Sequence, residues 1–167
     1  FCPVLDEIIQ LKPLLGLRSP VNTLTRMINP LGAPASIQSV FHPAYSRLHQ
    51  QADLLLGQQR ALVFKGESGE VELKPHADTR LHVLENGEMR ELIAARAFSQ
   101  RVAPVDQARV EPLRALWQGD DNDAYGLEAT LSTAAAGLLL LRPHSTFTQQ
   151  RAEAGQLWQQ RDRHRLH

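Results

Sequence analysis

A strand, a helix and a second strand follow one another without interruption between Ile37 and Gly66, and this run limits the fold more than any other stretch. Ile37 to Phe41 is short and apolar, and Pro43 to Leu56 carries Tyr45, Leu48, Ala52, Leu55 and Leu56 at helical spacing, which predicts these five as the buried face. Gly57 closes the helix, and Ala61-Leu62-Val63-Phe64 is a continuous apolar run of the kind that belongs to a strand covered on both faces. A strand–helix–strand unit of this kind pairs its strands in parallel with a right-handed crossover. The fold class that follows is α/β, a mostly parallel sheet flanked by helices.

One antiparallel hairpin is added to that sheet. Thr79 to Leu84 and Glu88 to Ile93 flank Asn86-Gly87, a pair suited to a turn needing positive φ at both central residues. Before it, Glu67-Ser68-Gly69 makes a turn, and Val71 and Leu73 alternate with charged neighbours as in a half-exposed strand. The rest reads as helix. Asp106 caps a segment through Trp117, Asp121 or Asp123 caps one through Leu141, and Ser145 or Thr146 caps a last one from Phe147 to about Arg161. One domain over 1–161 is expected, with 162–167 as a disordered tail.

The amino-terminal part is punctuated tightly. Pro3 opens a helical stripe of Val4, Leu5, Ile8, Ile9, Leu11 and Leu15; Pro13 should loosen it, because proline supplies no amide hydrogen, and Gly16 ends it. Val21 to Ile28 forms a short second helix, stopped by Asn29-Pro30. Phe1 is not a methionine and the helical pattern begins almost at once, so a piece of a longer polypeptide is expected.

Composition excludes several function classes. The charges balance, at 18 Lys and Arg against 18 Asp and Glu, so the chain is not basic overall. Of the 18 cations, fifteen are Arg, a residue suited to forked contacts with phosphate and carboxylate, although a GC-rich genome produces the same bias. The apolar run from Ala134 to Leu141 falls short of the roughly 20 residues a membrane span requires. Cys2 has no partner for a disulfide, and the histidines lack a metal-binding spacing, so no metal ligands and no catalytic residues are assigned. Asp120-Asp121-Asn122-Asp123 lacks the Gly and Glu of a calcium loop and reads as helix capping. A cytoplasmic protein without membrane contact is expected.

The segment Leu-Lys-Pro-Leu-Leu-Gly-Leu-Arg-Ser-Pro-Val-Asn-Thr-Leu-Thr-Arg-Met-Ile-Asn-Pro (11–30), with the Pro43 helix, the Ala-Leu-Val-Phe strand and the Gly-Glu-Ser-Gly-Glu-Val-Glu turn (66–72), resembles the carboxyl-terminal part of the glycosyltransferase family 3 α/β domain. It is similar to anthranilate phosphoribosyltransferases, and within them to the YbiB-like subfamily. The resemblance implies an incomplete phosphoribosyltransferase-like α/β domain. It also locates departures from the enzymes. Lys12 stands where they carry an arginine for the anthranilate carboxylate, Thr25-Arg26 where they carry Gly-Pro, and Val71-Glu72 where an Asp-Glu pair holds magnesium. Their Gly-Thr-Gly-Gly-Asp and Lys-His-Gly-Asn phosphate motifs are not in these residues.

Lys12, Arg18 and Arg26, each eight or fewer residues from the next, are the candidate anion or nucleic-acid site, lining one side of a cleft; the alternative is a helix-capping Arg18 with two solvated charges. The YbiB-like resemblance implies a non-catalytic, nucleic-acid-binding protein with no cofactor, homo-oligomeric in full-length form. The alternative is an active phosphoribosyl- or glycosyltransferase of unknown acceptor, using magnesium and upstream phosphate motifs.

Overall fold

The computed structural model describes residues 3–16, 21–66, 70–102 and 110–165. The amino-terminal helical stripe is divided into α1 (Pro3–Gln10) and α2 (Lys12–Leu15), with Leu11 in a turn between them. The break falls just before Pro13, whose ring cannot follow a helical carbonyl four residues earlier without a clash. Gly16 ends α2 at φ +64°, the left-handed conformation that glycine adopts without a Cβ penalty. Next comes α3 (Val21–Leu24), which tightens into a 3-10 turn over Thr25–Met27.

Four strands form one sheet in the order β1 (Ala35–Val40), β2 (Arg60–Lys65), β3 (Thr79–Glu85), β4 (Glu88–Ala94). The crossover helix α4 (Ala44–Leu55) joins β1 to β2, which pair in parallel from Ala35↔Arg60 to Val40↔Lys65. The α/β class is therefore as expected, and so is the parallel unit. The balance of the sheet differs: β2–β3 and β3–β4 are both antiparallel, so among the described strands the sheet is mixed rather than mostly parallel. The reason is local. Among the described residues between β2 and β3 there is no crossover helix, and the Asn86-Gly87 turn, at φ 51° and 89°, pairs Glu85 with Glu88 directly.

Val71–Lys74 is an irregular segment and not the expected strand. Leu73 is nonetheless buried, because its amide donates to Thr133 Oγ1 at 3.0 Å on the helix below. That helix is α6 (Ala124–Leu141), capped by Asp123, whose carboxylate accepts from the Gly126 amide. It follows α5 (Val110–Gln118) and precedes α7 (Phe147–Gln159), which opens with a Thr146–Gln149 capping box. The proposed cap Asp106 lies outside the described residues.

The core sits between β2, β3 and α6. Leu62, Phe64, Leu81 and Val83 pack with Ala136, Leu139 and Leu140. Ala61 and Val63 point to the other face of β2 by strand alternation, and α4 lies against β2 and β3 there. Among the described residues α6 is long and apolar enough to cross a membrane by composition; seven of its residues are buried, Ala136, Leu139 and Leu140 in this core and Leu131 and Ala135 against Ala154 of α7. The Arg151 guanidinium holds α7 to α6 through Glu128, with Nε donating to Oε1 at 2.8 Å.

α4 is turned relative to the expectation. Leu48, Leu55 and Leu56 are exposed, Leu55 at 87%, and the helix buries Ser46, His49, Gln50 and Asp53 instead. Those four also recur at helical spacing, so two stripes compete, and the polar one wins because the sheet face beneath supplies its hydrogen-bond partners.

Candidate functional site

In open α/β sheets, ligands gather beyond the carboxyl ends of parallel strands. Here β1 runs out into Phe41-His42-Pro43 and β2 into Lys65-Gly66. Arg26 reaches this end from the 3-10 turn: its Nη1 donates to the Ser39 carbonyl at 2.9 Å and to Ser39 Oγ at 3.1 Å. The turn is held from its far side by Asn29, which donates to the Ala33 carbonyl at 2.7 Å and to Gln58 Oε1 at 3.0 Å, and accepts from the Ala33 amide at 2.9 Å. A half-buried guanidinium is thus fixed at the end of β1.

Beside it stands an aromatic step. The Phe41 and His42 rings meet edge-on at 5.0 Å, and His42 and Tyr45 at 6.1 Å. All three side chains are exposed, because Phe41 and His42 lie past the last β1–β2 pair and Tyr45 sits on the outward side of α4. Next to Ser39, Gly66 lets the Glu70 backbone approach closely: a Cβ there would lie 1.7 Å from the Glu70 carbonyl oxygen and 2.9 Å from Ser39 Cβ. Val71 and Glu72 follow, both exposed, with the Glu72 amide donating to the Glu70 carbonyl at 2.9 Å.

Beneath Arg26 lies the polar face of α4. Gln38 bridges it: its Nε2 donates to both Asp53 oxygens at 3.0 and 2.9 Å, and its Oε1 accepts from His49 Nδ1 at 3.0 Å. An amide oxygen only accepts, so His49 carries its proton on Nδ1. Burial lowers the pKa of His49, and the Arg26 charge lowers it further. Burial raises that of Asp53 against the opposing Gln38 hydrogen bond. Gln50 Nε2 donates to the Val83 carbonyl at 2.7 Å, which completes the seam between α4 and the sheet.

Of the predicted cations, Arg26 is placed at the site and Lys12 opens α2; Arg18 lies outside the described residues. α1 packs on α3, and α3 continues into the Arg26 turn. The reading of the sequence missed Ser39, the aromatic step, and the Gln38–His49–Asp53 bridge. The available signal was the Ser46, His49, Gln50, Asp53 spacing, which also fits one face of a helix.

A sequence profile described as the a/b domain of the glycosyl transferase family matches residues 2–160. The chain belongs to that family. Similar curated proteins are anthranilate phosphoribosyltransferases. That of Acidovorax sp. (strain JS42) is 32% identical over 141 residues, which is 80% of this chain and 41% of that protein. That of Burkholderia multivorans is 29% identical over 144 residues, 83% of this chain and 41% of that protein. That of Paracidovorax citrulli is 35% identical over 89 residues, 53% of this chain and 26% of that protein. This glycosyl transferase family chain therefore spans less than half the length of these curated relatives, and it is anthranilate phosphoribosyltransferase-like over most of its own.

Proposed function

We propose that this chain is part of a non-catalytic, anthranilate phosphoribosyltransferase-like protein that binds nucleic acid at the carboxyl ends of β1 and β2. The observation that carries the reading is the placement of an anchored arginine, Arg26, beside the exposed Phe41–His42–Tyr45 step. A fixed cation attracts a phosphate backbone, and exposed rings give bases a surface to stack on at about 1–3 kcal/mol per base. Lys12 and Arg18 would extend the positive side of the same cleft. At the position of the magnesium-binding pair the chain offers Glu72 and the exposed Val71, a side chain with no ligating atom. The finer assignment, a YbiB-like, cytoplasmic homo-oligomer with no cofactor, belongs to this proposal.

The test is fluorescence anisotropy with labelled single- and double-stranded oligonucleotides over a range of salt. Affinity should fall steeply with salt, weaken about tenfold or more in Arg18→Ala/Arg26→Ala, and weaken again in Phe41→Ala/Tyr45→Ala. Binding that is unchanged in both variants would overturn the assignment. A second reading, an active phosphoribosyl- or glycosyltransferase, draws on the names of the relatives. It requires magnesium-dependent consumption of phosphoribosyl pyrophosphate by the full-length protein with an amine or base acceptor.

A further inference from the structure

Both tryptophans of the chain, Trp117 near the end of α5 and Trp158 near the end of α7, meet edge to face at 5.6 Å. They fasten the segment that follows α7. Trp117 Nε1 donates to the Asp162 carbonyl at 2.8 Å. Arg161 lies over the Trp158 ring at 3.8 Å and donates to the carbonyls of Leu116, Trp117 and Trp158 at 3.3, 2.8 and 2.7 Å. This packing leaves a concavity of about 360 Å³ between the turn from α5 to α6 and residues 158–163, at the small end of small-molecule sites. Leu116, Leu127 and Trp158 give its lining an apolar part, and Asn122, Arg161 and Arg163 a polar one.

Two guanidiniums converge there. The Cβ that Gly119 lacks would lie 3.2 Å from Arg163 Nη1 and 3.8 Å from Arg161 Nη2, and all three residues line the concavity. Arg161 uses three of its five donors on carbonyls, and Arg163 uses none on any described residue. Among the described residues no carboxylate pairs with either group. Burial and then the Arg163 charge lower the Arg161 pKa, so the two cations are near enough to repel each other. Asp121, the one acidic side chain among the described lining residues, is bonded to its own chain, where it accepts from the Asn122 amide at 2.7 Å. Adjacent cations with unused donors and no counter-charge are stabilised by an anion that bridges them.

We propose that this concavity binds a small phosphomonoester, with its phosphate bridging Arg161 and Arg163 and its organic group against the apolar lining. A phosphate is favoured over a carboxylate because paired cations match a dianion. Its three terminal oxygens can also meet two forked donors, where a carboxylate offers two oxygens. The residues involved lie outside the Arg26 site, so the proposal is independent of the nucleic-acid reading.

The probe is phenyl phosphate, with benzoate as its carboxylate counterpart and phenol as its uncharged one. Each is titrated into the isotopically labelled protein and followed by backbone amide and tryptophan indole shifts. Phenyl phosphate should give saturable shifts confined to 116–122 and 158–163, benzoate the same set at lower affinity, and phenol none. Arg163→Gln, at an exposed position with no bonding partner among the described residues, should leave the fold intact and weaken phenyl phosphate about tenfold. Asp121→Asn removes the neighbouring negative charge and should tighten binding, a change that a purely structural role would not produce. The proposal is overturned by an absence of saturable shifts, by affinity unchanged in Arg163→Gln or weakened in Asp121→Asn, by benzoate or phenol binding as tightly as phenyl phosphate, or by shifts scattered over arginines elsewhere.

Discussion

Alanine at position 66 places a methyl group where two backbone segments already touch. The added carbon would sit 1.7 Å from the Glu70 carbonyl oxygen and 2.9 Å from Ser39 Cβ. The first contact is far inside any permitted separation and involves backbone, so no rotamer change relieves it. The turn must move outward by an ångström or more, which strains the path from β2 to the buried Leu73. That anchor, the Leu73 amide on Thr133 Oγ1 at 3.0 Å, resists the movement. Overpacking of this kind costs about 3 kcal/mol. For a domain of this size each kcal/mol lowers Tm by about 2–4 °C, so Gly66→Ala should melt about 6–12 °C below the parent. Differential scanning calorimetry measures the shift, and urea unfolding checks the free energy. Adding Ser39→Gly removes only the milder contact and should restore a small part of the loss. A Tm within about 1 °C of the parent would show that the turn yields freely, and the argument for a fixed wall beside Ser39 would fail.

Three further outcomes follow from the charged groups. Because burial raises the Asp53 pKa, the native state binds its proton more tightly than the unfolded chain does, so stability should fall as pH rises from the ordinary carboxylate value through the raised one. Urea titrations at a series of pH values should show this slope flattened in Asp53→Asn. The Arg151 guanidinium lowers the Glu128 pKa, so this pair stabilises the fold above the ordinary glutamate value and is lost as pH falls through the lowered one. Glu128→Gln should cost about 1–2 kcal/mol at neutral pH in urea unfolding, and an unchanged midpoint would remove the pair from the account of how α6 holds α7. Arg26→Ala should raise the His49 pKa part of the way toward its ordinary value, since burial remains when the charge is gone. Imidazole proton shifts followed against pH read this directly, and an unmoved titration would place Arg26 too far from His49 to act on it.

Where the physics is local, the sequence was sufficient. Asn86-Gly87 forces its hairpin because the tight turn requires left-handed backbone at both residues, and these two accept it. Asp123 and Thr146 cap their helices because each can bond an amide three residues on. Gly16 and the break before Pro13 follow from backbone sterics alone.

The candidate site is different, because it is made of partners far apart in the chain. Ser46, His49, Gln50 and Asp53 have the polarity of a solvated face, and only the fold brings Gln38 and the Val83 carbonyl to meet them. Nor does the spacing of Lys12, Arg18 and Arg26 reveal that Arg26 is tied to Ser39. The sequence by itself determined the order of the main helices and strands and the caps at Gly16, Asp123 and Thr146, since each depends on a few neighbouring residues; it did not determine Val71–Lys74, which is irregular where a strand was expected. Only the tertiary structure decided which stripe of α4 turns inward and what Arg26 and Asp53 face, because burial of a polar group is favourable only when a distant segment arrives to satisfy it.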